Sequence, residues 1–169
     1  MRIPNWIYRS ERVGKNGKLF SAYKIRTLKE GIDKTSSFAQ ANQYLKYGKF
    51  LRKTKLDELP QIFNVLKREM NIVGVRPEEL RSIRLIPREL RTILLSRKPG
   101  LTSLASLHFI DEEFILSHSR DQAKDYFEKI KPAKLVLDAF YVQNKCFLLD
   151  LAIIWMTVKV VFKRLLLKR

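Results

Sequence analysis

The stretch "LRKTKLDELPQIFNVLK" (residues 51–67) decides how the middle of this chain folds. Leu56, Leu59, Ile62, Phe63 and Leu66 recur at the three- and four-residue steps of a helix. Pro60 sets where it starts. Proline costs about 3 kcal/mol inside a helix but little in the first turn, where its missing N–H would have had no partner. The helix is therefore predicted to begin near Leu56–Glu58, with Asp57 and Glu58 at its N-terminus. Free N–H groups and the helix dipole favour negative charge there by about 0.3–1 kcal/mol. Lys49, Arg52, Lys53 and Lys55 stand just upstream. Both influences predict two ionised carboxylates, which suits a nucleophile or a metal ligand better than a general acid. A Mg²⁺ ion binds through one or two carboxylates together with substrate phosphates, and Asp57 and Glu58 supply such a pair. The same residues also suit a purely structural end, with "TKLD" (54–57) as a capping box.

The surrounding chain is strongly basic. Thirty-four Lys and Arg against seventeen Asp and Glu give a net charge of +17. Such a field attracts nucleic acid, an anionic membrane face, or phosphorylated small molecules. The single cysteine, Cys146, excludes an internal disulfide, and two histidines, His108 and His118, argue against a cysteine/histidine zinc site. "MRIPNWIYRSERVGK" lacks the apolar run of a signal peptide. Residues 146–169 are apolar but interrupted by Asp150, Lys159, Lys163 and Arg164, so they are expected to lie on a surface rather than to span a bilayer.

Moving outward, Asn16-Gly17 in "VGKNGKLF" favours a hairpin turn between two short strands within residues 6–28. Alternation in "FSAYKIRTL" sends Lys24 and Arg26 to the same side. Residues 29–37 read as a polar loop, and a helix is expected to resume at Phe38 and run through "GKFLRKT". "MNIVGVRP" (70–77) reads as a buried strand ending in a turn, 78–98 as one or two basic helices, and 96–111 as a loop-rich connection. Further helices are predicted over 112–131, 134–145 and 146–167. The fold class is α+β: one helix-dominated domain with a short β-hairpin or small sheet and amphipathic helices. The last helix carries Leu148, Leu151, Trp155, Val158, Phe162 and Leu165 on one stripe with a basic end. That pattern fits a helix lying in a membrane interface and equally one packed on a core.

The block "GKFLRKTKLDELPQIFNVLKREMNIVGVRPE" (48–78) resembles the bacterial sugar transferase family, the monotopic polyprenyl-phosphate phosphoglycosyl transferases. The resemblance extends through "ERVGKNGKLFSAYKIRTL" (11–28), "RKPGLTSLA" (97–105), "DAFYVQN" (138–144) and "LLDLAIIWMTV" (148–158), in family order. It implies an enzyme that moves a phosphosugar from a UDP-sugar to a polyprenyl phosphate at the cytoplasmic face of the bacterial inner membrane. UMP leaves, and a surface polysaccharide or glycan is begun. By motif, Asp57 would be the nucleophile, forming a covalent phosphosugar intermediate, and a ligand of Mg²⁺, with Glu58 its partner. Arg52 and Arg76 would hold phosphate oxygens, joined by Lys24 and Arg26, with Asp138 a further site residue and Pro77 shaping the turn that presents Arg76. A guanidinium binds phosphate through paired hydrogen bonds, which suits these arginines to the task. The implied partners are the UDP-sugar, the polyprenyl phosphate and an anionic membrane surface.

Two features depart from the usual family pattern. Members carry a hydrophobic N-terminal helix that enters the membrane and turns back, whereas only ten residues precede Glu11. Residues 1–169 are therefore read as a single catalytic domain without that anchor. In "PGLTSLASLHFID" (99–111), Ser103, Leu104, Ser106 and Leu107 stand where members carry Gly, Trp, Gln and Val. The alternatives are an inactive membrane-associated relic or accessory subunit, and a basic nucleic-acid-binding module. No motif for nucleic acid accompanies the charge, so no such partner is expected.

Overall fold

Asn16 and Gly17 adopt the positive φ, 56° and 79°, that their pairing predicts. The chain reverses there between β1 (Ile7–Val13) and β2 (Leu19–Ile25), which pair antiparallel from Ile7↔Ile25 to Val13↔Leu19. Phe20 and Ala22 on β2 bury a small cluster with Met70. The computed structural model describes residues 4–29 and 43–166. Most of the predicted loop at 29–37, and the start of the helix expected from Phe38, lie outside the described residues. Within 43–47 the expected helix is absent, because the backbone pairs with β2's continuation instead: Leu45 N–H donates to Thr27 O at 2.9 Å and Lys29 N–H to Gln43 O at 3.0 Å. Helix α1 therefore begins only at Gly48 and ends at Thr54.

Lys55 turns the chain with left-handed angles (φ 60°, ψ 14°), closing α1 and opening the next segment. Leu56–Gln61 is a 3₁₀ helix and α2 (Ile62–Leu66) continues it. The helical start falls where Pro60 placed it, but the first turns are 3₁₀ rather than α. That tighter winding accommodates a proline whose ring would clash with the carbonyl four residues back in an α-helix. The capping box does not form: Thr54 Oγ1 donates back to Phe50 O at 2.8 Å, and no side chain caps the 3₁₀ helix.

The amphipathic sense of this segment is inverted. Asp57, Pro60, Gln61 and Asn64 are buried, whereas Leu59, Ile62, Phe63 and Leu66 are 52% to 73% exposed. Asn64 explains how a polar face can pack inward. Fully buried, it accepts the Tyr23 N–H (3.2 Å) and donates to Ser21 O (2.8 Å) and Glu69 Oε2 (2.7 Å), so every polar atom is satisfied against β2. Asn64→Ala strands those partners and is expected to cost about 2–4 kcal/mol, read as a lower urea midpoint. An unchanged midpoint would show that the bonds contribute nothing.

β3 (Asn71–Val73) runs parallel to β4 (Gly100–Thr102), with Asn71 opposite Gly100 and Val73 opposite Thr102. Between them lie α3 (Leu80–Arg84) and α4 (Arg88–Leu95), the two basic helices expected. The predicted loop-rich connection at 96–111 contains β4 and α5 (Leu104–His108), whose N-cap Ser103 accepts the Ser106 N–H at 2.9 Å. A three-residue strand has no readable alternation of its own; pairing with β3 defines it. After α6 (Glu112–Ser117), helix runs from α7 (Gln122–Asp125) through a π turn (Tyr126–Ile130) into α8 (Lys131–Asn144). The predicted break at 132–133 is absent, because Pro132 falls in the first turn of α8, directly after the wider π turn.

α9 (Phe147–Leu166) lies across the core formed by β3, α4 and α8. It contributes Ile153, fully buried, with Leu149 and Ile154 beside it. The stripe read from the sequence faces the other way: Leu148, Trp155, Val158 and Phe162 are each more than half exposed. Among the described residues no helix is long and apolar enough to cross a membrane. The architecture is α+β and helix-dominated, with β2 packed against the 3₁₀ helix and β3 against α2.

Candidate active site

The segments that converge are three: the end of β2, the α1–3₁₀ junction and the turn after β3. They line one cavity of about 390 Å³, whose wall includes Lys24, Arg26, Arg52, Asp57, Glu58 and Arg76. Six of the seven residues singled out from sequence thus share one wall, although 52 positions separate the first from the last. Lys24 Nζ donates to Glu58 Oε1 at 2.6 Å. Arg26 Nε donates to Asn5 O at 2.8 Å, which ties the end of β2 to the segment before β1. Arg52 lies over the Tyr44 ring, 5.4 Å from its centroid, and donates to the Tyr44 hydroxyl at 3.3 Å. Arg76 Nη1 reaches Ser106 Oγ at 3.4 Å.

The two neighbouring acids are electrostatically unlike. Burial pushes Asp57 up to about 6, and the adjacent Glu58 charge adds to it, against the pull of Lys24, Lys55 and Arg52. Burial also pushes Glu58 upward, but the Lys24 ammonium and Arg76 guanidinium outweigh it and hold Glu58 well below the usual carboxylate range. The expectation that the helix end and its lysines keep both carboxylates ionised therefore holds at all ordinary pH for Glu58, but for Asp57 only above about pH 6. The reason is desolvation: Asp57 is only 7% exposed, and its Oδ1 is buried without a hydrogen-bond partner.

Asp138 lies outside the cavity wall. It is buried behind the turn, where its Oδ2 accepts the Arg76 backbone N–H at 3.0 Å, and burial pushes its carboxyl up to about 6. Its place is to hold the backbone that projects Arg76 rather than to line the cavity. Sequence reasoning missed the rest of the wall, including Arg12, Glu78, Glu112, Tyr126 and Lys134. Glu112 and Lys134 pair across a separation of 22 residues, and no local pattern announces such a contact.

Among the described residues no three acids, histidines or cysteines gather in a way that could hold a metal ion unaided. The site nonetheless fits a Mg²⁺ ion shared with phosphates, because Asp57 Oδ1 offers a buried oxygen whose lone pairs accept no hydrogen bond. Glu58 is committed to Lys24. A cation-lined cavity with one such carboxylate in its wall is the arrangement of a site that handles phosphorylated ligands.

The chain belongs to the bacterial sugar transferase family, whose profile matches residues 2–164. It is similar to an uncharacterized sugar transferase of Haemophilus influenzae, 34% identical over 95% of this chain and 34% of that protein. It is 33% identical, over 94% of this chain and 33% of the relative, to the undecaprenyl-phosphate galactose phosphotransferase of Salmonella typhimurium. A third relative is the UDP-glucose:undecaprenyl-phosphate glucose-1-phosphate transferase of Klebsiella pneumoniae, 34% identical over 90% of this chain and 31% of that protein. The chain spans about a third of the length of these relatives.

Proposed function

We propose that this chain transfers a phosphosugar from a UDP-sugar to a polyprenyl phosphate, releasing UMP, and so opens assembly of a surface glycan. The observation that carries the reading is Asp57 Oδ1, a buried carboxylate oxygen without a partner in a cavity lined by Lys24, Arg26, Arg52 and Arg76. The names of the Salmonella and Klebsiella relatives, both transferring a phosphosugar to undecaprenyl phosphate, support the same chemistry.

In this reading the cations hold the diphosphate of the donor and offset its charge. Asp57 attacks the β-phosphorus; a P–O bond forms to its carboxylate, and the bond to UMP breaks with the electron pair leaving on the UMP oxygen. An oxygen of the polyprenyl phosphate then attacks the same phosphorus, and the Asp57 carboxylate leaves, so no net proton is consumed on the enzyme. Glu58 fixes Lys24 beside Asp57 through their 2.6 Å bond. A Mg²⁺ ion held by Asp57 and the substrate phosphates would supply further charge neutralisation.

The outward apolar residues support a reaction at a lipid surface, which in this reading is the cytoplasmic face of the membrane. Leu59, Ile62, Phe63 and Leu66 beside the dyad, and Trp155, Val158 and Phe162 on α9, face away from the core. Exposed Lys159 and Lys163 on α9 would each add about 1 kcal/mol against anionic headgroups. The test is UMP release from a panel of UDP-sugars with Mg²⁺, with and without polyprenyl phosphate. Acceptor-dependent release is expected. No release from any donor, with folded protein and lipid present, would sink the reading.

A further inference from the structure

The cavity has a second end that this chemistry does not use. Around the dyad, the five cations Lys24, Arg26, Arg52, Lys55 and Arg76 line the wall together with the two acids Asp57 and Glu58. Elsewhere in the wall, Arg12 pairs with Glu79 and Lys134 with Glu112, while Arg81 and Glu78 add one charge of each sign. The ionisation of Asp57 is shaped by Glu58, Lys24, Lys55 and Arg52, whereas Arg76 also feels Glu112. Arg76 therefore stands between a cationic end and a balanced one. Phosphates belong to the first; an uncharged, hydroxyl-rich group suits the second.

The balanced end is built from the second half of the chain. Glu112 opens α6 and Lys134 projects from α8, and the two form an ion pair with side chains 20% and 7% exposed. A pair this buried is a poor source of stability, since desolvating both charges offsets most of their attraction. It does, however, present hydrogen-bonding capacity to the cavity. A carboxylate has about four acceptor positions and an ammonium three donors, and their mutual bond fills one of each. The Tyr126 ring stands 5.6 Å from Lys134 Nζ, and Phe127, half exposed, lines the cavity next to it. Acid, amine and aromatic ring together suit the hydroxyls and the apolar face of a sugar.

We propose that the end of the cavity formed by Glu112, Tyr126 and Lys134 is the subsite for the donor's sugar ring, with Glu112 setting which sugar is accepted by bonding its hydroxyl groups. This rests on the transfer reading above. Sites that bond a substrate hydroxyl discriminate strongly, because a wrong hydroxyl leaves their own buried groups unpaired. The nucleotide contributes nothing at this end, so its affinity is independent of Glu112.

The experiment is direct calorimetric binding on the full chain, using UDP alone and UDP-hexoses that differ in one hydroxyl or one N-acetyl group. Glu112→Gln keeps the shape of the side chain and removes its charge. It is expected to weaken the tightest UDP-hexose at least about tenfold and to reorder the panel, while UDP stays within about twofold of the parent. Equal weakening of UDP, or an unchanged panel, overturns the subsite. If Glu112→Gln does not fold, Tyr126→Phe removes one hydroxyl from the same end and carries the same expectation. A parent chain that binds no UDP-hexose also overturns it. The transfer reading fails differently: the parent then binds UDP-hexoses yet releases no UMP when acceptor and Mg²⁺ are supplied.

Discussion

Asp57→Asn is expected to lose sugar-phosphate transfer by about 10³-fold or more and yet to unfold at a higher temperature than the parent at pH 7.5. In the proposed mechanism the activity loss follows from replacing the attacking carboxylate with an amide. The stability gain follows from burial, which with Glu58 alongside pushes Asp57 from 3.8 to about 6. A carboxyl whose pKa is raised in the fold stabilises the protein below its unfolded value, and that contribution is lost as pH rises through the folded value. At pH 7.5 the ionised Asp57 therefore costs the fold on the order of 3 kcal/mol, which a neutral amide avoids. Thermal melts in metal-free buffer at pH 7.5 and pH 4 check this. The gain should vanish at pH 4, where both forms are neutral, and a pH-independent gain would remove the electrostatic explanation. In the parent, kcat/KM should rise through about pH 6 and level off above it, because in the proposed mechanism only the ionised carboxylate of the free protein goes on to attack.

Gly100→Ala is expected to unfold the chain or destabilise it by more than about 4 kcal/mol. A Cβ at Gly100 would lie 2.1 Å from Gly74 N and 2.4 Å from Thr102 O, both backbone atoms that cannot rotate away. The β3–β4 pairing depends on that approach. Gly74 N–H donates to Thr102 O at 3.1 Å and Gly100 N–H to Val75 O at 2.8 Å. Val75 leads directly into Arg76, so any folded fraction should also bind phosphate ligands poorly. Chemical denaturation followed by circular dichroism measures the first effect. A parent-like midpoint would mean the strands separate at little cost.

The hairpin and the start of the 3₁₀ helix were legible because single residues dictate them: Asn16 and Gly17 by their φ, Pro60 by its missing N–H. The residues around the dyad were legible for a related reason, since Arg52, Asp57, Glu58 and Arg76 lie within one contiguous motif. β4 and α5 were not, because Gly100–Thr102 is a strand only by virtue of its partner. The outward direction of Leu59, Ile62, Phe63 and Leu66 was hidden as well: helical spacing marks a stripe without saying what covers it. Asp138 was read as a further site residue, and nothing in the sequence told that it would accept the Arg76 backbone N–H from behind the cavity wall. Glu112 and Lys134 belong to helices whose charges look like ordinary solvated surface until the fold sets them face to face.

The far end of α9 has a mechanical meaning. A helix of 20 residues is about 30 Å long. Thr157 grips β4 at Thr102 near the middle, through a 2.8 Å hydroxyl contact, while Arg164 clasps Lys53 O on α1 at 2.7 Å and also Asp111. The helix is therefore a lever with its fulcrum on the β3–β4 ladder and its tip on the residue next to Arg52. The outward apolar face of α9 and the cavity wall at Arg52 are thus joined through a single side chain, Arg164, on the residue next to Arg52.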